Sequence, residues 1–142
     1  MAEACQQTVL QKWERKQRKL KNLMIDSDTE EWQRSESFLG LGKIGGVDLS
    51  FIKEDNINAC ASLVILSYPD LQVIYEDYQM VRLTAPYIAG FLAFREAPYL
   101  VEAVDRLRKQ DPSLVPQVIL VDGNGLLHYR GKTAIVLTVC AF

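Results

Sequence analysis

Val118-Ile119-Leu120-Val121-Asp122-Gly123 sets the topology of the chain. An unbroken apolar run of this length reads as a strand covered on both faces, and the acid that closes it needs a reason to stand there. Upstream, Asp111-Pro112 ends a helix that the pattern predicts from about Ala97 to Lys109. Pro98 suits its first turn, and Leu100, Val101, Val104 and Leu107 form its buried stripe. Thr84 to Gly90, broken by Pro86, reads as a loop. Three segments rich in β-branched and aromatic residues come before it, Lys43 to Ile52, Ala59 to Tyr68 and Leu71 to Leu83, with turns at Asp55-Asn56 and Pro69-Asp70. The expectation is an α/β mixed sheet: an antiparallel meander of three strands, a crossover helix, and a fourth strand parallel to the first. A right-handed crossover with the fourth strand buried centrally places it beside the first. Asp48 would then lie next to Asp122.

Outside the sheet, Leu10, Trp13, Gln17, Leu20 and Met24 recur at helical spacing, so an amphipathic surface helix is expected from about Gln6 to Met24. Its other face carries Lys12, Arg15, Lys16, Arg18, Lys19 and Lys21, and either a solvated surface or phosphate contact accounts for such a face. Ser27 and Glu30 have capping-box spacing, which predicts a short helix from Asp28 to about Arg34 anchored by Trp32.

The 142 residues are 49% apolar and 24% charged, enough for one globular domain with its own core. A formal net charge of -2 provides no global attraction to nucleic acid, so such binding would need a local basic patch. Cys5, Cys60 and Cys140 lack any CxxC or Cys/His metal spacing. Reduced thiols and a cytosolic or nuclear compartment follow as expectations. The N-terminus has no secretory pattern, and no uncharged run approaches the roughly 18 to 20 residues of a membrane span.

Asp48, Glu96 and Asp122 each sit in or beside an apolar stretch. Burying an ionised carboxylate costs several kcal/mol unless a cation receives it, and paired aspartates on neighbouring strands would repel. A shared divalent cation with hard oxygen preference resolves both problems and points to phosphoryl transfer. Taken singly, each acid also fits a strand end dipping into solvent.

Gly45-Gly46-Val47-Asp48-Leu49-Ser50-Phe51, Pro86-Tyr87-Ile88-Ala89-Gly90-Phe91-Leu92-Ala93-Phe94-Arg95-Glu96, and Val121-Asp122-Gly123-Asn124-Gly125 followed by His128 and Arg130 together resemble the endonuclease V family, most closely its vertebrate form, over about residues 8 to 131. The resemblance implies an RNase H-like fold and Mg²⁺-dependent hydrolysis, with Mn²⁺ as an alternative, of the second phosphodiester bond 3′ to inosine. It implies inosine-containing RNA, single-stranded or tRNA-like, as the preferred partner, deaminated DNA as another, and a cytoplasmic and nuclear or nucleolar monomer. Carried over by position, Asp48 and Asp122 are metal ligands and Glu96 the third catalytic acid. Tyr87 is the wedge that fills the space of the displaced base, with Ala89 where bacterial relatives have proline. Gly90 and Leu92 line the base pocket, and Arg95 contacts phosphate or pairs with an acid. His128 is the sole histidine and is expected to hydrogen-bond rather than bind metal.

The similarity ends after Gly131, so residues 1–131 are expected to be the N-terminal part of an endonuclease V domain and 132–142 a divergent apolar tail, as in a product of alternative splicing. The absent elements would include the family's catalytic lysine, a late metal ligand and one wall of the base pocket, and the fold is expected to be incomplete on that side. The tail could add a fifth strand or remain a sticky end. Three functions follow: the family's endoribonuclease, a non-catalytic form that binds RNA weakly, or an inactive, unstable product.

Overall fold

The computed structural model describes residues 2–122. A long helix, α1 (Ala2–Leu23), and a single turn, α2 (Glu31–Arg34), lead into strands β1 (Lys43–Phe51), β2 (Asn58–Ser67) and β3 (Val73–Arg82). Helix α3 (Leu92–Gln110) then crosses to β4 (Val118–Val121). The sheet order is β3-β2-β1-β4, with β1 antiparallel to β2, β2 antiparallel to β3, and β1 parallel to β4. This is the mixed sheet anticipated above. Residues 123–142, including Gly123, Asn124, Gly125, His128, Arg130 and the tail, lie outside the described residues.

The core forms between α3 and one face of the sheet. Val47, Leu49, Ala59, Ala61, Leu63 and Ile65 alternate inward from β1 and β2, and Leu100, Ala103 and Leu107 meet them from α3. The strands therefore show the period of two that a sheet with one covered face requires. β4 follows it as well, since Ile119 is buried while Leu120 is 60% exposed. Only one face of β4 is covered among the described residues, contrary to the reading of its apolar run. Apolarity of the run reflected composition, and burial followed the pleat.

Three other expectations are corrected. Helix α3 starts at Leu92, five residues before the predicted start, and holds Pro98 in its interior. Proline there forgoes one intrahelical hydrogen bond, but the extra turn buries Phe91 at the helix cap and stacks Phe94 on Trp13 with ring centroids 5.0 Å apart. The stripe of α3 contains Ala103 instead of Val101, which is 47% exposed. The short helix begins after Glu30, and its capping box joins Glu30 to Gln33, not Ser27 to Glu30.

Two features set how closely β4 approaches β1. A methyl group on Gly45 would lie 2.9 Å from Pro116 and 3.2 Å from both Ile119 and Ile65, so only a bare backbone fits there. At the strand entrance, the Gln117 side-chain oxygen accepts from the Gly42 amide at 2.6 Å and its Nε2 donates to the Gly40 carbonyl at 2.8 Å. These bonds tie the two segments together before the ladder begins.

Candidate nuclease site

The parallel ladder pairs Ile44 with Val118, Gly45 with Ile119, Gly46 with Leu120 and Val47 with Val121. One further step brings Asp48 opposite Asp122. Paired strands lie about 4.8 Å apart, and side chains at matching positions leave the same face of a sheet. Val47 and Leu49 point into the core, so Asp48 projects from the opposite, open face, and Asp122 is likewise exposed. The strand ends thus gather two carboxylates at one edge.

Glu96 approaches from the second turn of α3. Burial pushes its carboxyl above the ordinary carboxylate range, the charges of Asp48 and Asp122 push it further in the same direction, and Arg95 acts against them. The three acids anticipated from sequence therefore share one electrostatic environment. Like charges held together favour protonation of one of them or capture of a cation. Their oxygen donors are the type a hard divalent ion prefers. Among the described residues, no group of three His, Cys, Asp or Glu side chains is already arranged to hold a metal ion.

Before α3 runs the loop of Pro86, Tyr87 and Ile88. Tyr87 is 65% exposed. It also lines a cavity of about 450 Å³ together with Asn56, Ile57, Leu83, Ala85, Pro86 and Arg95. Arg95 is only 7% exposed and donates to the Asn56 carbonyl, while its Nε has no partner. Its guanidinium therefore braces the β1–β2 connection from inside; it does not pair with an acid, and it is not displayed on the surface where a phosphate would meet it.

Gly90 closes the loop with φ +84°, a left-handed conformation that favours glycine. Its carbonyl accepts a hydrogen bond from Gln17 Nε2 at 2.9 Å. Leu92, 40% exposed, opens α3 at the same corner. Gln17 stood out in the sequence only as the polar member of an apolar stripe. That irregularity was the available signal for its role, which is to fasten α1 to the loop. Gln117 carried no comparable signal, because its partners are backbone atoms 74 to 77 residues away.

Comparison with known proteins places these elements in context. The sequence profile of endonuclease V matches residues 18–135. Mouse endonuclease V is 59% identical over 130 residues, which cover 92% of this chain and 38% of the mouse protein; for the human protein the values are 60% over 119 residues, 84% and 42%. The chain thus spans about two-fifths of the length of these relatives. The crystal structure of the catalytic domain of human endonuclease V superposes with a TM-score of 0.85 at 57% identity, covering 88% of this chain and 51% of that one. Ciona intestinalis endonuclease V, solved with a 24mer DNA containing an inosine followed by a ribo-adenosine, superposes at 0.77 with 34% identity, covering 89% and 51%.

Proposed function

Because the chain belongs to the endonuclease V family, we propose that it acts on inosine-containing nucleic acid, RNA first, as a Mg²⁺-dependent phosphodiester hydrolase. The bond cut would be the second on the 3′ side of inosine. The observation that carries this reading is the register that sets Asp48 opposite Asp122 with Glu96 in their common field.

In this reading Asp48 and Asp122 hold the divalent cation, Mg²⁺ or Mn²⁺. When bound, that ion supplies charge neutralisation on the phosphate and activates water for in-line attack. Glu96, ionised once the local negative charge is relieved, orients the attacking water and takes up its proton. Tyr87 presents a ring face to the stack from which the deaminated base has left. Gly90 and Leu92 form the near wall of the base site, and the fixed φ of Gly90 holds that wall in place. Arg95 keeps the wall behind the wedge loop in place by lining the cavity there and holding the Asn56 carbonyl. Cleavage of a single-inosine RNA with and without Mg²⁺, beside a full-length relative, tests the reading. Cutting by the wild type that disappears in Asp48→Ala is expected; an intact RNA under conditions where the relative cuts it would refute catalysis.

A second reading is a form that binds inosine RNA without turnover, supported by the exposed ring of Tyr87 and the exposed basic face of α1. Retention of RNA on filters that declines as salt rises, with no cleavage in Mg²⁺, is its signature.

A further inference from the structure

We propose, resting on the nucleic-acid reading above, that Lys12, Arg15, Lys16 and Lys19 on α1 form a docking surface for the sugar-phosphate backbone of the strand that enters the candidate site. The four residues follow one another at three- and four-residue spacing and so share one face of the helix. All four are exposed. Among the described residues the ion pairs are Arg106 with Asp77 and Arg108 with Asp105, so no described carboxylate neutralises the stripe. From Lys12 to Lys19 the helix rises about 10 Å.

A basic helix face is commonly only a solvated surface; its attachment distinguishes this one. The neighbouring face of α1 is fastened to the site at two points. Trp13 stacks on Phe94 with an interplanar angle of 6°, and Gln17 holds the carbonyl of Gly90. Lys16 bridges the two regions, its ammonium 5.9 Å from the Phe94 ring centroid. Phe94 lies two residues before Glu96, and Gly90 three after Tyr87. The stripe therefore sits on a helix attached to the first turn of α3 and to the end of the Tyr87 loop. Backbone phosphates passing the wedge would meet it, whereas the acidic edge itself would repel them in the absence of a cation.

Binding of short labelled strands to the full chain, titrated with KCl, tests the surface. Lys12→Gln/Lys19→Gln removes two charges from the stripe, and Lys43→Gln/Lys109→Gln removes two from the opposite end of the domain; glutamine keeps the helical positions in good helix formers. The stripe variant should lower the slope of log K against log salt by about 1.4, at ~0.7 per lost phosphate contact for a single strand. The loss should be equal for inosine and guanosine strands and for RNA and DNA, since backbone contacts carry no base information. The control pair should keep the wild-type slope. If the double variant melts early, Lys19→Gln alone should lower the slope by about 0.7. An unchanged slope, or a loss confined to inosine strands, overturns the surface. So does weakened binding to phosphatidylserine vesicles with unaltered nucleic-acid binding, which would mark the end of α1, with exposed Leu20 and Leu23 and the following Met24 and Ile25, as lipid-facing. A wild type that binds or cleaves inosine strands while the variant keeps its slope sinks the stripe alone. A wild type that binds no strand at low salt sinks both the stripe and the reading beneath it.

Discussion

Glu96 on α3 lies in the electrostatic field of Asp48 on β1, and that charge adds to burial in raising the Glu96 carboxyl above its ordinary range. The relation joins a helix to a strand 48 residues away in sequence. It also fixes the sign of a pH effect. A raised folded-state pKa means that the folded protein prefers protonated Glu96, so this contribution to stability is complete below the unfolded value near 4.5 and is lost as pH rises through the folded value. Glu96→Gln should therefore melt higher than wild type at pH 7, and the difference should shrink to nothing below pH ~4. Melting curves across that range decide it; a variant that is less stable at neutral pH contradicts the assigned strain.

Adding a divalent cation should relieve the same strain. Mg²⁺ at a hundredfold excess over its Kd would stabilise a one-site protein by about 2.7 kcal/mol. A rise in melting temperature is expected for wild type and should be absent in Asp48→Asn and Asp122→Asn. Calorimetry with Mg²⁺ against matched ionic strength in KCl makes the comparison, and equal shifts in all three proteins would remove Asp48 and Asp122 as ligands.

The two consecutive glycines of β1 should respond in opposite ways. Gly45 faces the core against Pro116, Ile119 and Ile65, whereas a methyl group on Gly46 would meet nothing within 4 Å. Gly45→Ala should destabilise by about 1–3 kcal/mol through overpacking, and Gly46→Ala should be close to neutral. Urea unfolding of the pair gives the answer; equal midpoints would refute the close approach of β4.

Tyr87 is too exposed to support the core, so Tyr87→Ala should leave the melting temperature nearly unchanged. If its ring stacks on a base, the same substitution should weaken binding to inosine RNA by about 1–3 kcal/mol, with Tyr87→Phe retaining most of the affinity. Anisotropy titrations on the three proteins separate a stacking ring from a spectator.

Gln117 should support both the start of the β1–β4 ladder and the stability of the fold. Gln117→Leu deletes its side-chain bonds to Gly40, Gly42 and Lys43, each worth about 1 kcal/mol. Faster hydrogen exchange at the Gly42 and Lys43 amides is the expected result. Unaltered protection there would show that the ladder holds its register without the glutamine.

Local patterning was enough to reveal the order of elements, the crossover topology and the positions of the three acids on their elements, because alternation, turn chemistry and an acid ending an apolar run are short-range signals; the role of Tyr87 came only from the family resemblance. The start of α3 was not legible from Pro98. The local cost of a proline inside a helix was outweighed by burial of Phe91 and the stacking of Phe94 on Trp13, a partner about 80 residues earlier. The exposure of Leu120 was hidden for the same reason, since an apolar run does not disclose which of its faces finds a partner. Arg95 and Glu96 are neighbours in sequence, yet helical periodicity separates them: Arg95 lines a cavity, while the carboxyl of Glu96 is raised by burial and by the charges of Asp48 and Asp122. Long-range packing decided what each meets: the tether of Gln117 and the bare backbone of Gly45 set where β4 lies, and so where Asp122 stands relative to Asp48.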